Sequence, residues 1–590
     1  MLSFIPLSAV AMAVAAAFFL RGYRKKRGCE VPDTFLYLTV ILPFAAGGFH
    51  TYVSAVTTVC LVFHLLSVAK KQGYLRLTLN GNSAAVILVV LGYCLTPLWA
   101  ADRGMALFGI PRYLPVLLYC VALMQLTPEQ KENCHSLIPI SGGAMTVLSS
   151  LLLLIPGTDP YLTVQGRLAG FLQYPNTYAA FLLAGLVLQY TRAGRKKWDL
   201  LLDGILILGV ILSGSKTGFV LLLVTAAGIA IVHKKRKLVL SLAGIIGGGL
   251  LLAVILSNSE ILRHANRFAD IKITSGSFLV RLLYFQDALP MILKNPFGYG
   301  YMGYRALQGT FQTGRYYVTY MHNGFLQLLF EIGWVPALAM AAAFLRTMLS
   351  GKTASGNRLL MFVVLAHCML DFDLQFFVFW VILLACLDFE HGTQWKLRKV
   401  GLLGKTVGCV CIGVCLWLAS ADFCYQLGKP ELSLKLAPFH TDSLSVQLQK
   451  STDREELKDL AEKIRKLNPT LSLIYSAKAN AALSEGDVVA MMEYKEQAIR
   501  CARYTAEEYG DYFEKLYAIR QIYLRSGDAQ SAGYCEEKMH YLLQLAASVQ
   551  NETSPLATEI GQDAVLELPE RYRIYMEILT EKQDYRSLAG

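Results

Sequence analysis

The chain has 590 residues, of which 54% are hydrophobic and only 17% charged, with a formal net charge of +12 at pH 7. A soluble protein of this length would carry more charge and divide into several water-facing domains. The apolar residues fall in blocks of about 18–22, long enough to cross a hydrocarbon layer of roughly 30 Å. The composition therefore predicts a polytopic membrane protein. Its excess Lys and Arg are attributed to loops between spans, not to nucleic-acid binding.

In chain order, the apolar blocks predict about fourteen transmembrane helices. They lie near residues 2–20, 34–49, 51–69, 83–100, 106–126, 136–155, 177–191, 200–213, 217–232, 238–256, 324–345, 359–371, 375–388 and 403–421. Clusters of Lys and Arg follow odd-numbered spans, and such loops face the cytoplasm; only the loop after the fifth span gives no support. The prediction is N-terminus out and C-terminus out. Because positive charge follows the first block, we interpret that block as an uncleaved span and not as a signal peptide.

This topology leaves three long segments outside the cytoplasm: residues 157–176, 257–322 and the tail. The predicted domains are 1–425, a polytopic membrane domain, and 426–590, an exterior helical domain. In the tail, Gly486-Asp487 and Gly527-Asp528 each fit the end of one helix and the start of the next. The predicted fold class is all-α, with a tail resembling tetratricopeptide (TPR) repeats; a plain helical bundle is the alternative.

Two glycine-rich segments resemble nucleotide-binding motifs. Gly298-Tyr299-Gly300-Tyr301-Met302-Gly303 matches GxGxxG but lacks a preceding strand, and Gly214-Ser215-Lys216-Thr217 resembles a phosphate-binding loop with altered spacing. Both lie on the predicted exterior face, away from cytosolic nucleotides. The thirteen cysteines show neither zinc-site nor disulfide spacing. We therefore expect no cofactor and no metal.

An enzyme on this face must use a substrate that arrives already activated, most simply a glycan on a polyprenyl diphosphate. Arginine suits a diphosphate because it stays charged and binds phosphate through two N–H groups. The exterior segments offer Arg167, Arg263, Arg267, Arg281, Arg305 and Arg315. His322, at the junction of the long loop and the next span, could orient an acceptor hydroxyl and take its proton. Taken singly, each arginine could instead contact lipid headgroups, and His322 could be an ordinary interfacial histidine.

Five segments between about 80 and 390 resemble the O-antigen ligase and O-antigen polymerase superfamily of bacterial membrane glycosyltransferases. They are Gly166-Arg167-Leu168-Ala169-Gly170-Phe171 with Tyr174-Pro175-Asn176, Ser213-Gly214-Ser215-Lys216-Thr217-Gly218, Arg281 to Gly300, His322-Asn323 with Gly333, and His367 with Asp371-Phe372-Asp373. In the second segment lysine stands where the family has arginine. Pro336 departs from the signature that often follows the family's histidine, which weakens the resemblance to the ligase subtype.

The resemblance implies metal-independent transfer or polymerisation of glycan from undecaprenyl diphosphate on the outer face of the cytoplasmic membrane, in cell-surface polysaccharide assembly. It implies His322 as catalytic base and Arg167, Arg281, Lys216 and Asn323 as substrate-binding residues. The expected partners are the lipid-linked donor, a glycan, lipid or protein acceptor, membrane lipids and a protein bound by the tail. Two alternatives stay open: a transporter or flippase of lipid-linked saccharides, and a non-catalytic scaffold of a polysaccharide assembly machine.

Overall fold

The structure, a computed structural model, describes residue 14 and residues 31–191, 199–233, 276–398, 400–562 and 569–588. Helices dominate this part of the chain, as the sequence predicts. Up to the last apolar helix they are α1 (Asp33–Leu36), α2 (Leu42–Phe44), α3 (Thr51–Gln72), α4 (Gly81–Leu95), α5 (Arg103–Ala106), α6 (Gly109–Leu123), α7 (Pro128–His135), α8 (Ile138–Leu152), α9 (Asp159–Leu162), α10 (Pro175–Thr191), α11 (Asp199–Leu212), α12 (Lys216–His233), α13 (Gly276–Lys294), α14 (Gly303–Phe311), α15 (Gly324–Ile332), α16 (Trp334–Leu349), α17 (Ser355–Cys368), α18 (Phe377–Ala385) and α19 (Leu402–Gln426). Short helical turns cover Tyr37–Ile41, Ala46–Gly48, Thr96–Leu98, Gly170–Leu172 and Asp373–Gln375.

Five helical segments in the described residues are long and apolar enough to cross a membrane. They are Thr51–Gln72, Gly81–Leu98, Arg103–Leu123, Pro128–Leu152 and Leu402–Gln426. Shorter apolar helices cover Asp33–Phe44, Lys216–Ile231 and Trp334–Leu349. The chain is therefore a membrane protein by helix length and composition, while the count of fourteen spans and their orientation stay predictions. The predicted first span and tenth span lie almost wholly outside the described residues.

The predicted span 324–345 is wrong as a single helix, because the chain breaks between α15 and α16. Gly333 has φ +82°, and a Cβ there would lie 2.2 Å from the carbonyl oxygen of Pro296. Gly298, with φ +79°, is equally crowded by the backbone of Glu331 and Gly333. These two glycines let the segment after α13 run against the end of α15, where the amide of Tyr299 donates to the carbonyl oxygen of Phe330 at 2.7 Å. The GxGxxG match thus begins at a backbone packing contact.

The all-α prediction omitted two small antiparallel ribbons. Strands β2 (Thr163–Val164) and β3 (Arg167–Leu168) form a hairpin, and β1 (Tyr74–Leu79) pairs with β4 (Thr393–Arg398). In the sequence Tyr-Leu-Arg-Leu-Thr-Leu of β1, every second residue is leucine and the residues between carry polar groups, which is the two-residue period of a strand. Its partner lies more than three hundred positions away, so only the folded helices bring the strands together.

The tail consists of α20 (Pro430–Leu436), α21 (Thr441–Lys450), α22 (Arg454–Leu467), α23 (Ser472–Ser484), α24 (Val488–Cys501), α25 (Ala506–Arg525), α26 (Ala529–Asn551), α27 (Pro555–Glu559) and α28 (Glu570–Leu588). The turn prediction at both Gly-Asp pairs is confirmed. Gly486 and Gly527 have φ of +76° and +79°. The carboxylates of Asp487 and Asp528 accept from backbone amides at the starts of α24 and α26. Assignment of these helices to the TPR family stays a prediction.

The tail packs against the loops at one end of the membrane helices. Asp442 accepts two hydrogen bonds from Arg305, at 3.0 and 2.7 Å. Buried Asp102 accepts from Thr441 Oγ1 at 2.8 Å and from Asn468 Nδ2 at 3.0 Å. These partners belong to α14, to the residue before α5, and to tail helix α21 and the turn that follows α22. The tail and the loop helices are therefore joined by buried polar contacts.

Candidate active site

The site is centred on Asp371, in the turn between α17 and α18. Its side chain is 2% exposed. Oδ1 lies 3.1 Å from His322 Nδ1 and accepts from the amide of Phe372 at 3.0 Å. Oδ2 accepts from Arg281 at 3.1 Å and from Asn176 Nδ2 at 2.7 Å. The hydroxyl of Tyr174 also donates to Oδ2, at 3.5 Å. Five donors from four parts of the chain thus surround one carboxylate.

This environment keeps Asp371 ionised. Burial alone would raise the pKa of its carboxyl, but the Arg281 guanidinium and the hydrogen bond from His322 hold that pKa well below its usual range. A buried carboxylate with these partners acts as a fixed negative charge that orients both the imidazole and the guanidinium. The sequence analysis named Asp371 only as part of the resemblance.

The position of the His322 ring is fixed by an unusual backbone conformation and by the helix cap that follows it. His322 has φ +55°, a left-handed conformation that is uncommon for residues other than glycine. The next residue, Asn323, caps α15: its side-chain oxygen accepts from the amides of Phe325 and Leu326, both at 3.0 Å. Its Nδ2 donates to the carbonyl oxygen of Met369 at 2.9 Å. Asn323 therefore ties the start of α15 to the turn that carries Asp371.

The imidazole of His322 packs between aromatic rings. Its centroid lies 5.1 Å from that of Phe372, edge to face, and 6.1 Å from that of Tyr284. Phe372 stacks in turn on Tyr320, with the centroids 5.2 Å apart. The His322 side chain remains 20% exposed. In the described part of the chain no residue hydrogen-bonds Nε2, so this nitrogen can meet a substrate.

Arg167 reaches the same site from the β2–β3 hairpin. The two linking residues, Gln165 and Gly166, have φ of +53° and +72°, as a type I′ turn requires. The guanidinium of Arg167 donates to Asn176 Oδ1 at 2.5 Å and to the carbonyl oxygen of Ser213 at 2.9 Å. Asn176 thereby links Arg167 to Asp371.

Lys216 stands at the first position of α12, directly after the turn that includes Ser213. The intervening Gly214 has φ +57°, and a Cβ there would lie 3.5 Å from Arg167. The lysine is half-buried. The structure therefore brings the turn before Lys216 next to the arginine of the hairpin.

The other candidate arginines occupy different surroundings. Arg305 is engaged by Asp442 of the tail, and the amide of Arg315 donates to the carbonyl oxygen of Gln562 at 2.7 Å. Arg263 and Arg267 lie outside the described residues.

Besides Arg167 and Arg281, the structure contains a buried arginine that sequence reasoning missed, Arg112 in α6. Its guanidinium lies over the rings of Phe49 and Tyr301, at 5.1 and 5.6 Å from their centroids. It donates to the carbonyl oxygen of Gln375 at 2.7 Å. A lone arginine in a predicted span was the available signal, because such charges are costly and face the protein interior.

Besides His322 and Asp371, a second histidine–aspartate pair is formed by His367 and Asp373. His367 Nδ1 and Asp373 Oδ2 are 2.6 Å apart, and both side chains are fully buried. Asp373 Oδ1 accepts from Thr177 Oγ1 at 2.8 Å. Because Asp373 is two residues from Asp371, the His367–Asp373 pair also fixes the position of the turn between α17 and α18.

The comparisons with known proteins concern the family and not the geometry of the site. Residues 201–341 match the family model described as O-antigen ligase, which confirms the expected resemblance over a range that includes Lys216, Arg281, His322 and Asn323. Among curated proteins none matches the chain. Among solved structures, a "circular tandem repeat protein with novel repeat topology and enhanced subunit contact surfaces" matches at 12% identity over 85% of this chain and 98% of that chain. Its TM-score of 0.14 carries no structural argument.

Proposed function

We infer from the match of residues 201–341 to the O-antigen ligase family model that this chain is a membrane enzyme of glycosyltransferase type acting in polysaccharide assembly. We propose that this protein transfers or polymerises glycan from undecaprenyl diphosphate on the outer face of the cytoplasmic membrane, without a metal. The observation that carries the proposal is the convergence of His322, Arg281 and Asn176 on the carboxylate of Asp371. A base, an orienting carboxylate and cations for a leaving group are the parts that this reaction needs.

The donor diphosphate would bind the cations. Arg167, Lys216 and Arg281 supply three positive charges, against one negative charge on Asp371. Arg281 is 14% exposed and uses one terminal nitrogen for Asp371, which leaves other N–H groups for an anion. As the bond between the anomeric carbon and the diphosphate oxygen breaks, negative charge grows on the leaving group. Guanidinium groups fixed in advance stabilise that charge most strongly in the transition state.

The acceptor hydroxyl would be activated by His322. With Nδ1–H donating to Asp371, the lone pair of Nε2 faces the open side of the ring. The hydroxyl oxygen attacks the anomeric carbon, its proton passes to Nε2, and undecaprenyl diphosphate departs with the electron pair of the broken bond. Asn323 holds the start of α15 against the turn that carries Asp371, because its side-chain oxygen accepts from two amides of α15 and its Nδ2 donates to the Met369 carbonyl. The second N–H of Nδ2 is the group that it would offer to a substrate.

The direct test is a transfer assay with purified protein, an undecaprenyl-diphosphate-linked oligosaccharide and a chelator. We expect glycan product and free undecaprenyl diphosphate from the wild type, and almost none from His322→Ala. His391→Ala is the matched control, because His391 also pairs with an aspartate, Asp388, at 2.8 Å, but is 88% exposed elsewhere. Normal transfer by His322→Ala, or a strict requirement for a divalent metal, would contradict the proposed chemistry.

Sidedness is tested separately. A peptide tag after residue 590 should be labelled by antibody in intact cells whose outer barriers are permeable, because the tail is proposed to lie outside the cytoplasm. Labelling only after the cytoplasmic membrane is opened would overturn the orientation. The glycan phenotype of a deletion then separates the reactions: short chains indicate a polymerase, and long unattached chains indicate a ligase.

The two alternatives explain less of the structure. A flippase would place charged side chains along its spans. Here Asp371 and Asp373 lie at a turn and are bound by histidines. Arg112 is the one charged residue of α6, and it donates to the carbonyl oxygen of Gln375 next to that turn. A scaffold acting through the tail would leave the His322 and Arg281 cluster without a role.

A further inference from the structure

The ribbon of β1 and β4 has one apolar and one cationic face. Residues directly opposite each other in an antiparallel pair project to the same face, and successive residues alternate. The register pairs Leu75 with Leu397 and Leu77 with Trp395 on one face. It pairs Tyr74 with Arg398 and Arg76 with Lys396 on the other.

The apolar face of the ribbon is partly buried against the protein core and partly exposed. Leu75 is 7% exposed and packs in the main hydrophobic core, so this face turns toward the helices. On the same face, Leu397 opposite Leu75 is 48% exposed, and Trp395 and Leu79 further along are 62% and 50% exposed. A tryptophan and two leucines on one small ribbon would be unfavourable in water, at roughly 25 cal/mol per Å² of apolar surface.

Short connections fix the depth of the ribbon. Helix α3 ends at Gln72, and β1 begins two residues later. Helix α4 begins at Gly81, two residues after β1 ends, and α19 begins at Leu402, four residues after β4 ends. All three helices are long enough to span a membrane. Because spans end at the bilayer surface, a ribbon tied this closely to three of them lies at that surface.

A fourth contact holds β1 against the end of α6. The amide of Arg76 donates to Gln125 Oε1 at 3.0 Å, and Gln125 Nε2 donates to the carbonyl oxygen of Arg76 at 2.7 Å. This closes the outer edge of β1. Strand β4 is exposed along its whole length. In the described part of the chain, neither Lys396 nor Arg398 lies within salt-bridge distance of a carboxylate.

We propose that this ribbon is a binding site for anionic phospholipid headgroups at the membrane surface. Trp395 and Leu397 enter the boundary between headgroups and acyl chains, where tryptophan is favoured. Arg398 and Lys396, whose Nζ lies 5.0 Å from the centroid of the Tyr74 ring on the same face, meet the lipid phosphates, which attract cations near the surface. The leucines and Trp395 lie on one face and the cations Arg76, Lys396 and Arg398 on the other, which matches the two layers of the interface. The site is independent of the proposed transfer reaction.

Photocrosslinking tests the placement of the apolar face. The full chain would carry p-benzoylphenylalanine at position 395 or, as the matched control, at position 394, in nanodiscs with phosphatidylglycerol and phosphatidylcholine. Gln394 is exposed on the same strand but projects from the opposite face. We expect lipid adducts mainly from position 395. Equal lipid adducts at both positions, or adducts at 395 only to protein, would overturn the proposal.

Charge removal tests headgroup binding. In the double variant Lys396→Ala/Arg398→Ala, the preference for phosphatidylglycerol over phosphatidylcholine, measured by mass spectrometry of lipids retained with the protein, should fall about fivefold per cation, or roughly 25-fold at low salt. The control Lys463→Ala/Lys466→Ala removes two exposed cations from the tail and should keep the preference. An unchanged preference in the first variant would refute headgroup binding, as would an equal fall in both.

Discussion

Replacing Asp371 by asparagine is the sharpest perturbation that the site offers. The carboxylate presents two acceptor oxygens to five donors, whereas an amide presents one oxygen and one NH₂ group. If the NH₂ group takes the Oδ1 position, it faces His322 Nδ1, which can then only accept. The imidazole proton must move to Nε2, the nitrogen that should take the proton of the acceptor. If NH₂ takes the Oδ2 position, it faces the N–H donors of Arg281 and Asn176.

Each orientation removes a different part of the site. The first leaves a correctly placed base in the wrong tautomer, and the second displaces Arg281 from the leaving group. A positioned acid–base group is worth about 10²–10⁴ in rate, and the wrong tautomer in a serine protease triad costs about 10⁴. We therefore expect Asp371→Asn to lower kcat by roughly 10²–10⁴, equivalent to about 3–5 kcal/mol of transition-state stabilisation.

The assay is single-turnover glycan transfer by folded protein, with thermal unfolding measured in parallel. Asp373→Asn is the matched control, because it makes the same substitution two residues away in a fully buried carboxylate that contacts His367 instead of His322. The control should lose stability, yet retain the activity of its folded fraction within about tenfold. Equal losses of kcat in the two variants would refute a specific role for Asp371.

Three further predictions concern the same cluster. His322→Ala should insert and accumulate normally but transfer about 10²–10⁴ times more slowly, as measured with purified donor; near-normal transfer would make His322 structural. Arg281→Lys and Arg167→Lys should impair transfer nearly as much as alanine, because lysine loses the forked geometry, whereas Arg305→Lys should preserve transfer; full activity of Arg281→Lys would refute this assignment. Because the pKa of Asp371 is depressed, its stabilisation is complete above its ordinary value near 4 and lost as the pH falls through the depressed value. The difference in unfolding temperature between wild type and Asp371→Asn should then shrink as the pH falls below about 4; its complete loss already between about pH 5 and 8 would contradict an ionised Asp371.

The sequence predicted local features well where the cause was local. The apolar period defined α3 and α19, and the Gly-Asp turns of the tail follow from the left-handed conformation that Gly486 and Gly527 adopt. His322 was identifiable because it stands where a basic loop meets an apolar segment. The break at Gly333 was missed, because nothing within the span shows that the Pro296 carbonyl approaches it.

The arrangement of the site could not be read from the sequence for the same reason. Arg281 and Asp371 are 90 positions apart, and Asn176 and Asp371 are 195 apart, so their meeting depends on how whole helices pack. The resemblance singled out Arg281 among the arginines, but the sequence did not show that Arg281 faces Asp371 or that Arg305 faces the tail. What distinguishes them is the partner that each one finds.

The contacts of Arg305 also bear on how the tail relates to the site. The segment from Arg305 to His322 is held on one side by Asp287, which accepts from the amide and hydroxyl of Thr313 at 2.8 and 2.5 Å. On the other side, the amide of Ser554 in the tail donates to the carbonyl oxygen of Thr313 at 2.9 Å. The segment from Arg305 to His322 ends at the left-handed backbone of His322. Its contacts with the tail limit the conformations that this segment can adopt. The tail is thus part of the structure that positions His322, because the left-handed backbone there must be maintained by the contacts around it.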